Sequence, residues 1–320
     1  MTGPLAIGVD VGGTKVAALV VDPGGTVRDR RLVPSPAEDA EAVTRTIVAL
    51  VAELLSVHDG VVAVGIGAAG MVSREGVVRF APNVAWREFP LRERVAAGVE
   101  VPVTVDNDAN VAAWGEYRFG AGRGTTDLLV VTVGTGIGGG IVIGGELYRG
   151  AHGLGAEIGH IIVEPHGPLC GCGNHGCWEQ MASGRAIERM GRQAAAEQRG
   201  SVLAKLAGGD PSKLTGPDVT KAARDGDPIA IGILEEVGRR LGQGIAGLVN
   251  VLDPDAVVVG GGAADAHDLL LEPAQRAFVE SVEAPTHRPE VPILAAELGN
   301  DAGAIGAADL ARVRMGAVAP

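Results

Sequence analysis

Asp106-Asn107-Asp108-Ala109-Asn110 places four polar side chains in five positions, between a strand-like run and a helical run containing Val111, Ala112, Trp114 and Tyr117. Asp and Asn are ordinary helix N-caps, so the simplest account is that one of them caps the following helix. Capping uses one side chain and leaves three. A carboxylate at the C-terminal end of a strand also suits a ligand crevice. Asp108 could accept the proton of a substrate hydroxyl as that oxygen attacks a phosphorus, with Asn107 hydrogen-bonding a neighbouring hydroxyl.

Phosphate chemistry needs donors, and the glycine-rich turns offer them. The phosphate-loop pattern Gly-x4-Gly-Lys-Ser/Thr is absent. Asp10-Val11-Gly12-Gly13-Thr14-Lys15 instead supplies turn N–H groups, a hydroxyl and a cation, and Asp10 could hold Mg²⁺ directly or through water. An ordinary hairpin turn is the plain alternative. A second turn, Gly134-Thr135-Gly136, and the run Gly260-Gly261-Gly262 make that alternative less attractive. Gly65–Gly70 and Gly134–Gly139 also match Gly-x-Gly-x-x-Gly, but neither is followed by a convincing helix, which disfavours a nicotinamide or flavin.

The third group is a cysteine cluster. Cys170, Cys172 and Cys177 lie within eight residues, after His160 and before Trp178 and Glu179. Disulfide frameworks normally use an even, dispersed set in a small secreted chain. Three thiolates and one imidazole form a closed tetrahedral zinc site, with His160, His175 and His166 competing for the fourth position. A trio of buried, reduced cysteines is the alternative. A zinc-fixed loop would hold Glu157, His160 and Glu179 rigidly, as recognition of a polyhydroxylated ligand requires.

The elements that must position these groups follow from hydrophobic periodicity. Residues 5–11 and 15–21 read as a hairpin, residues 38–57 as an amphipathic helix, and Val61–Ile66 and Val101–Val105 as strands. Leu128 opens a second strand–turn–strand unit that echoes the first. Residues 180–250 read as helical, Asp255–Gly262 as a buried strand ending in glycines, and Ala302–Arg314 as a helix. The 320 residues, 46% hydrophobic, suffice for two domains, and no apolar run approaches the ~20 residues of a membrane span. The net charge of −12 argues against a nucleic-acid surface. A strand pattern begins at Leu5 with no signal-type segment before it, which points to the cytoplasm.

Together these motifs resemble the ROK family of sugar kinases and repressors, and within it the bacterial glucokinases of actinomycete type. The resemblance runs through Gly8–Lys15, Gly65–Gly70, Asn107–Asn110, Trp114–Tyr117, Gly134–Gly140, Glu157–His160, Cys170–Glu179 and Val259–Gly262. It implies an α/β, two-domain actin-like ATPase (ribonuclease H-like) fold with an inter-domain cleft. The expected domains are 1–108, with a C-terminal helix at about 302–316 packing back on it, and 109–301 with the zinc loop. The implied reaction is transfer from ATP to a hexose, glucose first, with mannose, N-acetylmannosamine, fructose or allose, a polyphosphate donor, or a non-catalytic sugar sensor as alternatives.

By the same resemblance Asp108 is the catalytic base, and Gly70, Asn83, Asn107, Glu157, His160 and Glu179 contact the sugar. Asp10, Gly12, Gly13, Thr14 and Lys15 form the first phosphate motif, Gly134, Thr135 and Gly136 the second, and Gly260, Gly261 and Gly262 the adenosine side. His160, Cys170, Cys172 and Cys177 are the implied zinc ligands, and His160 would bind zinc with one ring nitrogen and the sugar with the other. The implied cofactors are ATP, Mg²⁺ and structural Zn²⁺, and the implied assembly is a homodimer or homotetramer. Repressors of the family usually carry an N-terminal helix-turn-helix, and a first phosphate motif beginning at Gly8 leads to the expectation that this chain has none.

Overall fold

The apolar runs flanking Gly12-Gly13-Thr14 form the expected hairpin. Strands β1 (Leu5–Val11) and β2 (Lys15–Val21) pair antiparallel, with Val11 opposite Val16. The computed structural model describes residues 3–262 and 267–316. After β3 (Val27–Pro34) comes helix α1 (Ala40–Val57), whose N-cap Asp39 accepts from the N–H groups of Glu41 and Ala42. Its buried face carries Val43, Ile47, Leu50, Val51 and Leu54, the helical spacing read from the sequence.

Strand β4 (Val61–Ala68) runs parallel to β1. A small sheet of β5 (Met71–Val72), β6 (Val78–Phe80) and β7 (Arg87–Phe89) follows, then α2 (Leu91–Ala96). Strand β8 (Val103–Asn107) pairs parallel with β4 and leads directly into α3 (Asp108–Phe119). It starts two residues later than the sequence suggested. Pro102 has no N–H for the ladder and contributes only its carbonyl, which accepts from Val64 N–H at 2.8 Å.

The second half repeats the arrangement. Strands β9 (Leu128–Val133), β10 (Ile137–Ile143) and β11 (Glu146–Tyr148) are followed by five helices. These are α4 (Trp178–Ala182), α5 (Gly184–Glu197), α6 (Val202–Leu206), α7 (Gly216–Arg224) and α8 (Pro228–Leu252). Strand β12 (Ala256–Gly260), α9 (His267–Ser281), β13 (Ile293–Ala295) and α10 (Ala302–Arg314) complete the chain. One sheet has the order β3-β2-β1-β4-β8 and the other β11-β10-β9-β12-β13, so the order of the first is reproduced in the second. This is the duplicated α/β core expected of the actin-like ATPase fold. Both Gly-x-Gly-x-x-Gly segments lead into strands, β5 and β10, which removes the dinucleotide reading.

Packing defines two compact units. The first comprises Met1–Val130, Gly139–Ala156 and Ala296–Pro320, and the second Val131–Gly138 and Glu157–Ala295. The expected break at residue 108 therefore falls inside the first unit, at the β8–α3 junction. In that unit α1 covers one side of the sheet, and Ala304, Ile305 and Ala308 of α10 pack with Ala6, Leu19 and Val21 on the other. Helix α10 is rich in Ala and Gly because it lies at backbone contact: a Cβ on Gly8 would collide with the carbonyl of Ala304, and one on Gly65 with that of Ala307. Its fully buried Asp309 accepts from Trp114 Nε1 at 2.9 Å, Arg118 Nε at 3.1 Å and Arg312 Nη2 at 2.9 Å. The second unit has its own helical core, including Ile187, Leu203, Leu214, Val219, Leu234 and Val237. Among the described residues no helix is long and apolar enough to cross a membrane.

Candidate active site

In the first unit, the tip of the β1–β2 hairpin is closed by Gly12 N–H donating to the Lys15 carbonyl at 3.0 Å. Asp10 lies one residue before the end of β1, between Ala17 of β2 and Gly67 of β4. Burial raises its carboxyl above the ordinary value, and the nearby Lys15 ammonium only partly opposes this. A divalent cation would do more to favour the ionised form. Gly13 packs against Asn83, where a Cβ would meet the Asn83 carbonyl at 2.8 Å. Both residues line a cavity of about 770 Å³. A predicted phosphate residue and a predicted sugar residue thus share one wall.

Three more predicted residues converge where β4 and β8 end. Parallel pairing sets Ala68 opposite Asn107, which brings the Gly70 turn beside the start of α3. Asn107 is the N-cap: its Oδ1 accepts from Asn110 N–H at 3.0 Å, and its Nδ2 donates to the Gly70 carbonyl at 2.9 Å. Gly70 has φ 121°, and a Cβ there would collide with the Phe80 carbonyl. Asp108 is the first residue of α3, and its Oδ1 accepts from Ala109 N–H at 3.0 Å. The capping account is therefore right for Asn107, and Asp108 has a different place.

Asp106 had no assigned part. It is buried, and both its oxygens accept hydrogen bonds, two of them from Arg149 and Arg314. Four polar residues in five positions was the only sign of it in the sequence.

In the second unit, Glu157 precedes a 3₁₀ turn at Ile158–His160, with His160 N–H donating to the Glu157 carbonyl at 3.1 Å. Glu157 reaches solvent, yet desolvation by the surrounding protein raises its carboxyl; His160 opposes the shift and Glu179 adds to it. Trp178 anchors the start of α4 by donating from Nε1 to the Arg240 carbonyl at 3.0 Å, and this seats the neighbouring Glu179.

One ligand atom from each of His160, Cys170, Cys172 and Cys177 falls within 4.8 Å of the others. His160 Nδ1 lies 3.6 Å from Cys170 Sγ, and Cys172 Sγ lies 3.5 Å from Cys177 Sγ. A tetrahedral zinc ion would set ligand atoms roughly 3.5–3.8 Å apart; the donor set fits in kind, and these two separations fit in spacing. Tight loops bring it together, with Cys170 N–H donating to the Asn174 carbonyl at 2.8 Å. Among the described residues His166 and His175 are exposed and outside this group, and His175 Nδ1 lies 3.1 Å from the Gly167 carbonyl. Chiefly through burial, the Cys170 thiol is pushed up to about 12, and its Sγ–H donates to Glu179 Oε1 at 2.9 Å.

The Gly134–Gly136 turn adjoins the Glu179 carboxylate. Gly134 N–H donates to the Gly136 carbonyl at 3.0 Å, and Gly184 N–H at the start of α5 donates to the Gly134 carbonyl at 2.8 Å. Any Cβ on Gly136 would strike Glu179 Oε2. Gly261, just beyond β12, lies against the backbone of Val133, so the second and third glycine runs meet at neighbouring strand ends. Asp10–Lys15, Gly70, Asn83, Asn107 and Asp108 belong to the first unit; Glu157, His160, Glu179, the cysteines, Gly134–Gly136 and Gly260–Gly262 belong to the second.

Comparison with known proteins places the chain in a family. A glucokinase of Streptomyces coelicolor is 48% identical over 311 residues, covering 96% of this chain and 98% of that protein. A glucokinase of Thermotoga maritima is 39% identical over 319 residues, covering 97% of this chain and 98% of that protein. A crystal structure of a ROK family glucokinase from Streptomyces griseus, in complex with glucose and AMPPNP, superposes with a TM-score of 0.86 at 49% identity. That match covers 96% of this chain and 99% of the other. The ROK family profile matches residues 6–314, and the chain belongs to the ROK family.

Proposed function

We infer that the chain is an ATP-dependent glucokinase, transferring the γ-phosphoryl group of ATP to the 6-hydroxyl of glucose. The observation that carries this reading is the full-length similarity to glucokinases, one of them solved with glucose and AMPPNP. Supporting it, Asp108 stands at the first position of α3 and Asp10 beside a glycine turn. The glucose 6-oxygen forms the new bond to phosphorus, the bond from phosphorus to the ADP oxygen breaks, and Asp108 takes the hydroxyl proton. Phosphoryl transfer of this kind relies on positioning and on charge stabilisation more than on covalent chemistry.

In this reading Asp10 serves Mg²⁺, and the turns Gly12–Lys15 and Gly134–Gly136 direct N–H groups at phosphate oxygens. Gly260–Gly262 flank the adenosine. Gly70, Asn83, Asn107, Glu157, His160 and Glu179 bind sugar hydroxyls. His160, Cys170, Cys172 and Cys177 would hold structural zinc, which supplies rigidity and a fixed imidazole orientation. Metal binding removes thiol protons. The Cys170–Glu179 hydrogen bond would be lost with that proton, freeing Glu179 Oε1 for a sugar hydroxyl. By function the two domains are residues 1–108 with the C-terminal helix, and 109–301, a division distinct from the two packing units. The protein works in the cytoplasm as a homodimer or homotetramer, without nucleic acid or membrane.

The test is a panel of kcat/KM values for glucose, mannose, N-acetylmannosamine, fructose and allose, with ATP and with polyphosphate. Glucose with ATP is expected to lead. Sugar binding with no ADP formation from any hexose would replace the enzyme by a sensor.

A further inference from the structure

Asp106 occupies the penultimate position of β8 and is 6% exposed. Its Oδ1 accepts from Asn107 backbone N–H and from Asn110 Nδ2, each at 3.0 Å. Its Oδ2 accepts from Arg149 Nε at 2.6 Å and from Arg314 Nη2 at 2.9 Å. The two Oδ1 donors bracket Asp108 in the sequence. The two Oδ2 donors come from the segment after β11 and from the last residue of α10. A carboxylate with both oxygens occupied in this way has no reason to face substrate. Burying a carboxylate costs desolvation, which the two guanidiniums beside Oδ2 offset.

We propose that Asp106 is a positioning residue for Asp108, fixing the first turn of α3, and that Arg149 and Arg314 hold it in place. This rests on the kinase reading above. The bonds to Asn107 and Asn110 fix the residues on either side of Asp108, so the direction of its carboxylate is set before substrate arrives. The arrangement tolerates little change. Arg149 Nη2 is already buried without a hydrogen-bond partner, and removing the carboxylate would leave two guanidiniums facing each other. Charge-assisted bonds of this kind are the stronger class.

A purely structural role would cost stability and leave the turnover of folded enzyme intact. A positioning role would lower kcat in folded enzyme that still binds sugar. The experiment compares wild type with Asp106→Asn, Arg314→Gln and Arg314→Lys. Readouts are ADP release with glucose, glucose affinity by calorimetry, and the folded fraction by circular dichroism. Asp106→Asn keeps an acceptor for Asn107 and Asn110 but loses the charge. It is expected to lower kcat by about 10- to 100-fold, the scale of a displacement near 1 Å. Its glucose affinity and ATP KM should move by less than about threefold, as for an interaction made in the transition state. Arg314 is partly exposed, so Arg314→Gln should fold even if Asp106→Asn does not. It should show the same split at smaller size, with Arg314→Lys recovering most of the loss. Folded Asp106→Asn with full kcat overturns the proposal. So does full kcat in Arg314→Gln, or a kcat loss that tracks the unfolded fraction. A wild-type protein that releases no ADP with any hexose sinks the kinase reading together with this one. Wild-type turnover with unaffected variants sinks this one alone.

Discussion

Gly136 lies directly against the Glu179 carboxylate: there is no room for a Cβ between the Gly134–Gly136 turn and Oε2. Residues assigned to different ligands, nucleotide and sugar, are thus in contact within one unit. Gly136 has no positive φ, so alanine is compatible with its backbone.

Gly136→Ala should therefore leave the fold intact and displace Glu179. Losing one hydrogen bond to the sugar corresponds to about a tenfold rise in KM for glucose. The rise for ATP should be smaller, and Glu179→Gln should reproduce the glucose effect. Steady-state kinetics in both substrates check this. An unchanged glucose KM in folded Gly136→Ala would remove Glu179 from the sugar site.

Asp108→Asn should lower kcat by about 10²- to 10⁴-fold, the usual contribution of a positioned general base. Glucose binding measured by calorimetry should persist. Near-normal turnover in a coupled ADP-release assay would show that the proton goes elsewhere.

Asp10 gives a pH prediction without catalysis. Its folded pKa is raised, chiefly by desolvation. Folded protein therefore binds the proton more tightly than unfolded chain, and the stability this provides is present in acid and lost as pH rises through the folded pKa. Asp10→Asn cannot titrate. At neutral pH and without nucleotide it should melt above wild type, and the advantage should vanish below the ordinary carboxyl value of 3.8. MgATP should stabilise wild type and fail to stabilise the variant. Thermal melts across pH with and without MgATP decide the matter; parallel curves for the two proteins would contradict it.

Purified protein should contain about one zinc per chain by elemental analysis, as the Cys3His set requires. Chelation, or Cys172→Ser, should lower the melting temperature and weaken glucose binding more than it weakens nucleotide binding. Zinc-free protein with unchanged melting and glucose affinity would leave the cluster as reduced thiols.

The sequence made visible whatever depends on neighbours along the chain. Both glycine hairpins, α1 and α10 follow from local periodicity and turn chemistry, and α10 has the bounds read for it, Ala302–Arg314. The cluster of His160 with the three cysteines was legible because its members lie close together in the chain. The duplicated strand order was visible only as an echo, since the repeat lies in hydrogen bonding and not in residue identity. Asp106 with Arg149 and Arg314 could not be read, because the partners lie 43 and 208 residues away. The expected break at residue 108 follows the strand–helix alternation, whereas packing keeps α3 with α10. The contact of Gly136 with Glu179 was hidden for the same reason: glycine announces room for a turn, not which side chain fills it.

Helix α10 has a temporal consequence. The carbonyls that fit over Gly8 and Gly65 belong to Ala304 and Ala307, nearly the full length of the chain away. A ribosome releases these residues long after the first hairpin. Until then the first hairpin carries an open apolar face, while Glu157–Ala295 can already pack its own core. A strand made early is thus sealed late.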